Sequence, residues 1–303
     1  MTESERIIEQ GILPEPFFKE EERCGFLVTE KRKKIWAIEL DIYLELAKVC
    51  KKHNLTFWGD GGTLLGAIRH NGFIPWDDDM DIIMPREDYN KLLKIGPEEF
   101  KNPYFLQTPY TDPGFVFSYT KLRNSNTSCI SKWFAKGGFN HGIHIDIFPL
   151  DYINLDKFEE EKAIITECIM KNSSYMRRNS VDILEGKRLE NYKKYQTDDP
   201  IREYETMQKI ASNPDYKGSE YVANCIVPSI ESSAQIWKSS WYKDTLMHQF
   251  ETIELPIPKE YDKRLKAVYG DYMKFPPIEN RGNWHSDVFW DPDTPYTEYI
   301  KTY

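Results

Sequence analysis

The feature that most constrains the fold of this chain is an acidic run that leads directly into an apolar segment. Four aspartates, at positions 77, 78, 79 and 81, stand between the stretch 73–76 and the apolar residues 82–84. Carboxylates held together beside a core cost free energy unless a cation neutralises them. A chain does not need such a run to fold, so the run predicts a metal site.

Alternation of side chains along residues 73–84 predicts a strand. Successive side chains on a strand point to opposite faces, so Asp79 and Asp81 would share one face and Met80 and Ile82 the other. Residues two apart on a strand lie about 6.5–7 Å from each other. The two carboxylates would therefore converge on one or two hard cations.

Two other interpretations of the acidic run are a solvated turn and a calcium loop. A solvated turn does not usually alternate with apolar residues inside a strand. An EF-hand loop starting at Asp77 needs glycine at its sixth position and glutamate at its twelfth, where this chain has Ile82 and Asp88.

A glycine-rich turn precedes the aspartates. Residues 55–58 read as a short strand, residues 59–62 as a turn that needs the conformational freedom of glycine, and residues 64–70 as a helix capped by Thr63. An ordinary strand-to-helix turn has the same pattern. A helix N-terminus is also a natural anion site, and its coupling to the aspartates favours a phosphate-binding role for Gly61, Gly62 and Thr63.

A second alternating segment, GIHIDIFPLD at 142–151, predicts another strand. Ile143, Ile145 and Ile147 would face one side and leave Asp146 as a lone acid on the other, together with His144. As a third carboxylate beside a metal site, Asp146 would ligate metal or orient and deprotonate an attacking hydroxyl. A structural hydrogen bond is an equal alternative for His144.

Several basic and aromatic residues are candidates for substrate contacts. Arg69, Lys121 and Arg123 would hold phosphate groups through charge-assisted bonds, although solvent-exposed roles are also open to them. His285 is a further phosphate candidate. Aromatic residues are mostly core, but a cation–π cage for a quaternary ammonium is open to a subset of them, namely Trp133, Phe134, Trp284, Phe289 and Trp290.

Composition bounds the partners and the compartment. The net charge of −9 over 303 residues argues against a protein that binds nucleic-acid duplexes by neutralising phosphates. The N-terminus lacks the pattern of a signal peptide, and no stretch approaches the length of a membrane span. Five scattered cysteines fit a reducing environment. We therefore expect a cytoplasmic protein.

The chain divides into four expected segments. Residues 1–28 read as an N-terminal arm with Pro14 and Pro16. Residues 29–154 would form the catalytic core, beginning with a helix over residues 30–53 whose apolar residues recur every three or four positions. Residues 155–250 read as a charged helical subdomain, and residues 251–303 as a segment that packs on the core.

Three motifs resemble the LicD family, whose named bacterial members are phosphocholine transferases. They are GDGGTLLGAIRHNGFIPWDDDMDIIMPREDY from position 59, HIDIFPLD at 144–151 and IPKEYDKRLKAVYGDYMKFPP at 257–277. The resemblance implies an α+β fold with a nucleotidyltransferase-like mixed β-sheet core, flanked by helices and carrying a helical insertion. It further implies that Gly61 and Gly62 cradle phosphate, that Asp79 and Asp81 bind magnesium with Asp146 as the third acid, and that Asp77 supports metal or substrate.

The same resemblance implies the reaction. Phosphocholine would pass from CDP-choline to a hydroxyl of a cell-surface glycan, such as lipopolysaccharide or teichoic acid, or of its lipid-linked precursor, and CMP would leave. A lipid-linked acceptor would bring the protein to the inner membrane face. Transfer of ribitol or glycerol phosphate from a related CDP-alcohol and nucleotidyl transfer to a hydroxyl compound remain alternatives. So do a D-x-D glycosyltransferase, against which the glycine turn argues, and a cation-stabilised binding protein without turnover.

Overall fold

The computed structural model describes residues 1–227, 236–282 and 287–302. The helices in these residues are α1 (Glu3–Glu9), α2 (Glu30–His53), α3 (Gly61–His70), α4 (Arg86–Glu99), α5 (Phe158–Met176), α6 (Gly186–Lys194), α7 (Pro200–Ala211), α8 (Tyr261–Tyr269) and α9 (Tyr296–Tyr299). The strands are β1 (Glu21–Arg23), β2 (Phe26–Val28), β3 (Trp58–Gly59), β4 (Asp81–Pro85), β5 (Tyr104–Gln107), β6 (Thr120–Asn124), β7 (Ser128–Ser131), β8 (Ile143–Tyr152), β9 (Tyr221–Ala223), β10 (Ile236–Lys238), β11 (Thr245–Phe250), β12 (Ile253–Pro258) and β13 (Val288–Asp291).

Helix α2 confirms the prediction for residues 30–53. The Thr29 hydroxyl accepts the Arg32 backbone N–H at its start, and Asn54 ends it in the left-handed conformation. Its apolar stripe is buried against β6 and β8, and each fully buried Ile or Leu of that stripe contributes about 1.5–3 kcal/mol. The stripe comprises Ile35, Ile38, Ile42, Leu46 and Val49.

Strand β8 is the centre of a seven-stranded mixed sheet. It pairs in parallel with β4 on one side, and β3 continues that side in antiparallel. On its other side, the first half of β8 pairs with β6 and its end pairs with β9, both antiparallel. The predicted α+β fold with a mixed sheet flanked by helices is confirmed, since α2 and α4 both pack on β8.

The alternation predicted for β8 is also confirmed. Ile143, Ile145 and Ile147 are fully buried, while His144 and Asp146 are half-buried on the opposite face. The apolar side faces the main core, and the other side is left for polar chemistry. The sheet therefore supplies both the hydrophobic support for Asp146 and its access to a ligand.

Four details of the predicted secondary structure are wrong. The strand expected over residues 73–84 begins only at Asp81, so Asp79 lies in the preceding loop and strand alternation does not relate the two carboxylates. Residues 55–57 are not in a strand, since β3 is Trp58–Gly59. Residues 115–123 also read as a strand from the sequence, but only those from Thr120 onward join β6. Asp60, rather than Thr63, occupies the N-cap of α3.

The remaining segments surround this sheet. Residues 3–28 form α1 and a β1–β2 hairpin, and they pack through Ile7, Leu13 and Val28 into the same core as α2. Residues 158–211 are largely helical, with α5 packed on α7. Downstream of them, β9 and β10 extend the central sheet, so the chain returns to the core before residue 250.

Candidate active site

Asp81 and Asp146 lie side by side in the central sheet. They are direct partners in the parallel β4–β8 pair, and the Asp146 N–H donates to the Met80 carbonyl at 2.9 Å. Adjacent strands lie about 4.7–4.9 Å apart, so the two carboxylates share one face at close range. Burial raises the pKa of Asp81 well above its ordinary value, and the charges of Asp79 and Asp146 raise it further. A divalent cation would relieve this crowding.

The loop before β4 adds three more carboxylates. Oxygen atoms of Asp77, Asp78 and Asp79 lie within 4.8 Å of one another. Helix α2 holds the loop, because Arg32 Nη1 and Trp36 Nε1 donate to the Asp77 carbonyl at 2.6 and 3.0 Å. Carboxylate oxygens are the ligands that Mg²⁺ and Mn²⁺ prefer, so the donor set present here fits a hard divalent cation.

The glycine turn packs directly against these acids. Gly61 has a φ of +52°, and a Cβ at this position would lie 2.9 Å from Asp81 Oδ2. A Cβ at Gly62 would lie 2.8 Å from Asp77 Oδ2. A side chain at either position would therefore displace a carboxylate, and Gly61 also needs its positive φ. The two glycines begin α3, whose first N–H groups lack intrahelical partners. The predicted nearness of the turn to the aspartates is thus observed, and the phosphate role stays a prediction.

Thr63 anchors the strand that carries Asp81. Its Oγ1 accepts the Asp81 backbone N–H at 2.8 Å, while the Asp60 N–H donates to the Asp81 carbonyl at 3.0 Å. The predicted capping role of Thr63 is replaced by this bond between the turn and β4. The two backbone bonds fix Asp81 relative to the start of α3.

A buried ion pair ties the turn to the C-terminal part of the chain. Arg264 Nη2 of α8 donates to Asp60 Oδ1 at 2.6 Å, and its Nε donates to Tyr242 Oη at 2.9 Å. Its guanidinium lies 3.7 Å from the centroid of the Trp237 ring. Sequence reasoning missed this pair, because neither residue is unusual by itself and their sequence separation of 204 hides the contact.

Lys121 and Arg123 reach the face of Asp146 from β6. Lys121 is the cross-strand partner of Asp146, and its Nζ lies 2.5 Å from Asp146 Oδ1 and 2.8 Å from His144 Nε2. Arg123 Nη1 lies 3.0 Å from His144 Nδ1. Burial is the largest cause of the lowered pKa of Lys121 and also of that of Arg123. The structure brings both predicted basic residues to the acid pair.

A cavity of about 220 Å³ opens beside this group. Asp79 and Asp146 line it together with Lys121, Arg123 and His144. Tyr119 also lines it, and burial together with the charge of Asp146 raises the pKa of its hydroxyl well above the ordinary value. The remaining wall is mainly aromatic, and its rings are Phe117, Phe134, Phe139, His141 and Trp290.

The other predicted substrate residues are distributed differently. Of the aromatic candidates Phe134 and Trp290 line the cavity, whereas Phe289 packs on Tyr299 at 4.8 Å. Trp133 donates to Asp287 at 3.1 Å. His285 and Trp284 lie outside the described residues.

Arg69 is not among the described residues that line the cavity. It donates to the Tyr272 carbonyl at 2.9 Å, and its guanidinium lies 5.1 Å from the centroid of the Phe275 ring. The structure therefore separates Arg69 from Lys121 and Arg123. Its predicted phosphate contact stays a prediction.

Sequence reasoning also missed Glu39. This residue of α2 is 0% exposed, and neither of its carboxylate oxygens has a hydrogen-bond partner among the described residues. The signal was present, because position 39 falls on the apolar stripe of α2, four residues after Ile35 and three before Ile42. An acidic side chain on a helix face that packs into the core requires a structural or functional explanation.

Comparison with known families adds to the fold and the acid pair. Residues 54–184 match the family model described as LicD/FKTN/FKRP, nucleotidyltransferase domain. The resemblance to the LicD family seen in the motifs is therefore confirmed over these residues. None of the helices in the described residues is long and apolar enough to cross a bilayer.

Individual relatives extend this finding. The chain is 25% identical over 260 residues to the lipopolysaccharide cholinephosphotransferase LicD of Haemophilus influenzae, an alignment that covers 78% of this chain and 89% of the relative. An uncharacterized protein of Rickettsia prowazekii is 33% identical over 101 residues, which is 33% of this chain and 34% of that protein. One from Rickettsia typhi is 49% identical over 47 residues, or 16% and 15% of the two chains.

Proposed function

We propose that this protein is a divalent-cation-dependent transferase that moves phosphocholine from CDP-choline to a hydroxyl of a glycan and releases CMP. The observation that carries the proposal is the cavity beside Asp146, whose lining combines acidic and basic side chains with aromatic rings. Phosphocholine combines the matching groups, an anionic phosphate and a trimethylammonium group.

The acidic residues at the cavity suit metal-assisted phosphoryl transfer. Asp79, Asp81 and Asp146 would hold Mg²⁺ or Mn²⁺, as one or two ions. The cation would supply neutralisation of the diphosphate and of the charge that develops on the departing CMP. The N–H groups at the start of α3, at Gly61 and Gly62, would bind phosphate oxygens.

The step itself needs one base and good alignment. The acceptor oxygen bonds to the choline-bearing phosphorus while the bond from that phosphorus to the bridging oxygen breaks, and CMP leaves with the bridging oxygen. The hydroxyl proton passes to Asp146. A general base must lie within hydrogen-bond reach of the proton that it accepts. Lys121, now 2.5 Å from Asp146 Oδ1, would turn to the transferred phosphate.

The aromatic wall favours choline over the other phospho-alcohols. A quaternary ammonium carries no hydrogen-bond donor and is attracted to the faces of aromatic rings. A polyol such as ribitol would leave its hydroxyl groups unpaired against Phe117, Phe134 and Phe139, and each unpaired polar group costs about 1–3 kcal/mol. The name of the Haemophilus influenzae relative, a lipopolysaccharide cholinephosphotransferase, supports the same donor group and a glycan acceptor.

A donor panel tests the proposal. The protein is incubated with Mg²⁺ and CDP-choline, CDP-ribitol, CDP-glycerol, CTP, ATP or a sugar nucleotide, and the released nucleotide is identified chromatographically. CMP from CDP-choline and none from the other CDP-alcohols supports it. Release of pyrophosphate from CTP or ATP would establish nucleotidyl transfer instead. Release of CMP chiefly from CDP-ribitol or CDP-glycerol would show that the transferred group is that phospho-alcohol and not phosphocholine.

A further inference from the structure

Glu39 presents a problem that the proposed reaction does not solve. Its carboxyl group is 0% exposed, and both oxygens lack a hydrogen-bond partner in the described part of the chain. Most buried polar groups are paired, and an unpaired one costs about 1–3 kcal/mol or more. A carboxylate that folding keeps in this state indicates a ligand that would satisfy it.

The position of Glu39 on α2 shows what it faces. Arg32 and Trp36 of the same helix bond to the Asp77 carbonyl, at 2.6 and 3.0 Å. Glu39 follows Trp36 by three residues, which on a helix is nearly one turn along the same face. The side chains that act most strongly on its charge are Asp79, Asp78 and Asp77, in that order.

The loop opposite Glu39 already gathers oxygen ligands. Oxygen atoms of Asp77, Asp78 and Asp79 come within 4.8 Å of one another, and Asp78 is only 2% exposed. The charges of these acids act on Glu39, and α2, which carries Glu39, holds the loop through Arg32 and Trp36. An acidic loop that faces a buried, unpaired fourth carboxylate has the composition of a site for a hard cation with oxygen ligands.

We propose that Glu39 and the loop Asp77–Asp79 form a binding site for a hard divalent cation, such as Mg²⁺ or Ca²⁺, next to the Asp81–Asp146 pair. The ion would fix the loop against α2. Because the loop continues directly into β4, the ion would also set the position of Asp81. Binding of the ion at this site does not depend on which group the enzyme transfers, so failure of the choline proposal would not overturn it.

The test measures cation binding and stability in the absence of any donor. Wild type, Glu39→Gln and the control Glu45→Gln, which changes a partly exposed acid of the same helix, are stripped with EDTA. Mg²⁺ and Ca²⁺ binding is then followed by titration calorimetry, and thermal unfolding is recorded with and without each ion.

The expected result is specific to Glu39. Glu39→Gln loses one bound ion per chain or binds it at least about 10-fold more weakly, which is the scale measured when groups that support metal ligands are removed. Its melting temperature in EDTA equals or exceeds that of wild type, and its gain on adding the ion is smaller. Glu45→Gln matches wild type, and Asp146→Asn retains this ion.

An unchanged ion count, affinity and thermal gain in Glu39→Gln would overturn the proposal. So would the loss of all ion binding in Asp146→Asn. Should Glu39→Gln not fold in EDTA, Asp78→Asn takes its place with the same expected loss of an ion, and wild-type binding by Asp78→Asn would equally overturn the site.

Discussion

Asp81 and Asp146 are direct neighbours on two parallel strands, although α4 and three further strands separate them in the chain. The parallel pairing of β4 and β8 brings the two acids onto one face, and the antiparallel partner β6 sets Lys121 opposite Asp146. The register of the sheet therefore brings the two acidic residues and the basic residue Lys121 together from three strands. The glycine turn and the loop before β4 add the remaining residues of the site to these three strands.

The close approach of Gly61 to Asp81 gives a matched pair of substitutions. Gly61→Ala and Gly218→Ala both place alanine at a positive φ, +52° and +82°, and each pays about 1–2 kcal/mol for it. Only Gly61 has a carboxylate within 2.9 Å of the new Cβ. We expect both variants to lose stability in urea unfolding, Gly61→Ala more because its Cβ also meets Asp81, and only Gly61→Ala to lose most CMP release. Equal activity of the two variants would contradict the proposed role of the turn.

The Asp60–Arg264 pair predicts a large loss of stability. Arg264→Gln leaves Asp60 as a buried charge without its partner, which costs about 3–5 kcal/mol. The control is Lys266→Gln on the same helix, which breaks an exposed pair with Asp262 at 2.8 Å and costs at most about 1 kcal/mol. The free energy of unfolding in urea measures both. A loss for Arg264→Gln no larger than that of the control would show that the pair does not stabilise the fold.

His141 predicts part of the dependence of stability on pH. Burial, assisted by repulsion from Arg123, lowers the pKa of His141 from 6.5 to about 3. The unfolded chain therefore binds a proton below pH 6.5 that the folded chain does not, and stability falls as the pH falls from 6.5 towards 3. At pH 5 the loss from this residue is about 2 kcal/mol.

His141→Phe tests that linkage. The variant removes the titrating ring from its place 4.6 Å from Phe139 and keeps an aromatic side chain there. We expect its free energy of unfolding to fall about 2 kcal/mol less than that of wild type between pH 7 and pH 5. Parallel pH profiles for the two proteins would contradict the assignment.

The aromatic wall predicts a selective loss of donor affinity. Phe134 lines the cavity and Phe289 does not, so Phe134→Leu and Phe289→Leu form a matched pair. A cation–π contact contributes about 0.5–2 kcal/mol, so Phe134→Leu should weaken CDP-choline binding about 2- to 30-fold. Binding of CMP, which lacks the ammonium group, should not change. Equally weakened binding of CDP-choline and CMP, or weaker CDP-choline binding in Phe289→Leu, would contradict the proposed cation–π cage.

The periodic elements were predictable from the sequence. The apolar stripe of α2 and the alternation of β8 follow from burial on one face, and both appear as expected. Asp146 was predicted as a site residue because it is the lone acid on its face of the strand, opposite the face formed by Ile143, Ile145 and Ile147. Its approach to Asp81 required the pairing of β4 with β8, which no local pattern encodes.

The irregular parts were not predictable in the same way. Alternation suggested that the strand includes Asp79, but the chain enters β4 only at Asp81 and places the preceding carboxylates in a loop held by Arg32 and Trp36. The capping preference of Thr63 gave way to a bond with the Asp81 backbone. Long-range contacts decided both outcomes, and one sequence without its fold does not display them.

The most direct test of the central claim is CMP release from CDP-choline under single-turnover conditions, with Mg²⁺ or with EDTA, by wild type, Asp146→Asn and the exposed control Asp156→Asn. We expect wild type and Asp156→Asn to release CMP only with Mg²⁺. In Asp146→Asn the rate of release should fall about 10²–10⁴-fold, the range expected for a general base. Release that persists in EDTA, or wild-type rates from Asp146→Asn, would contradict the central claim.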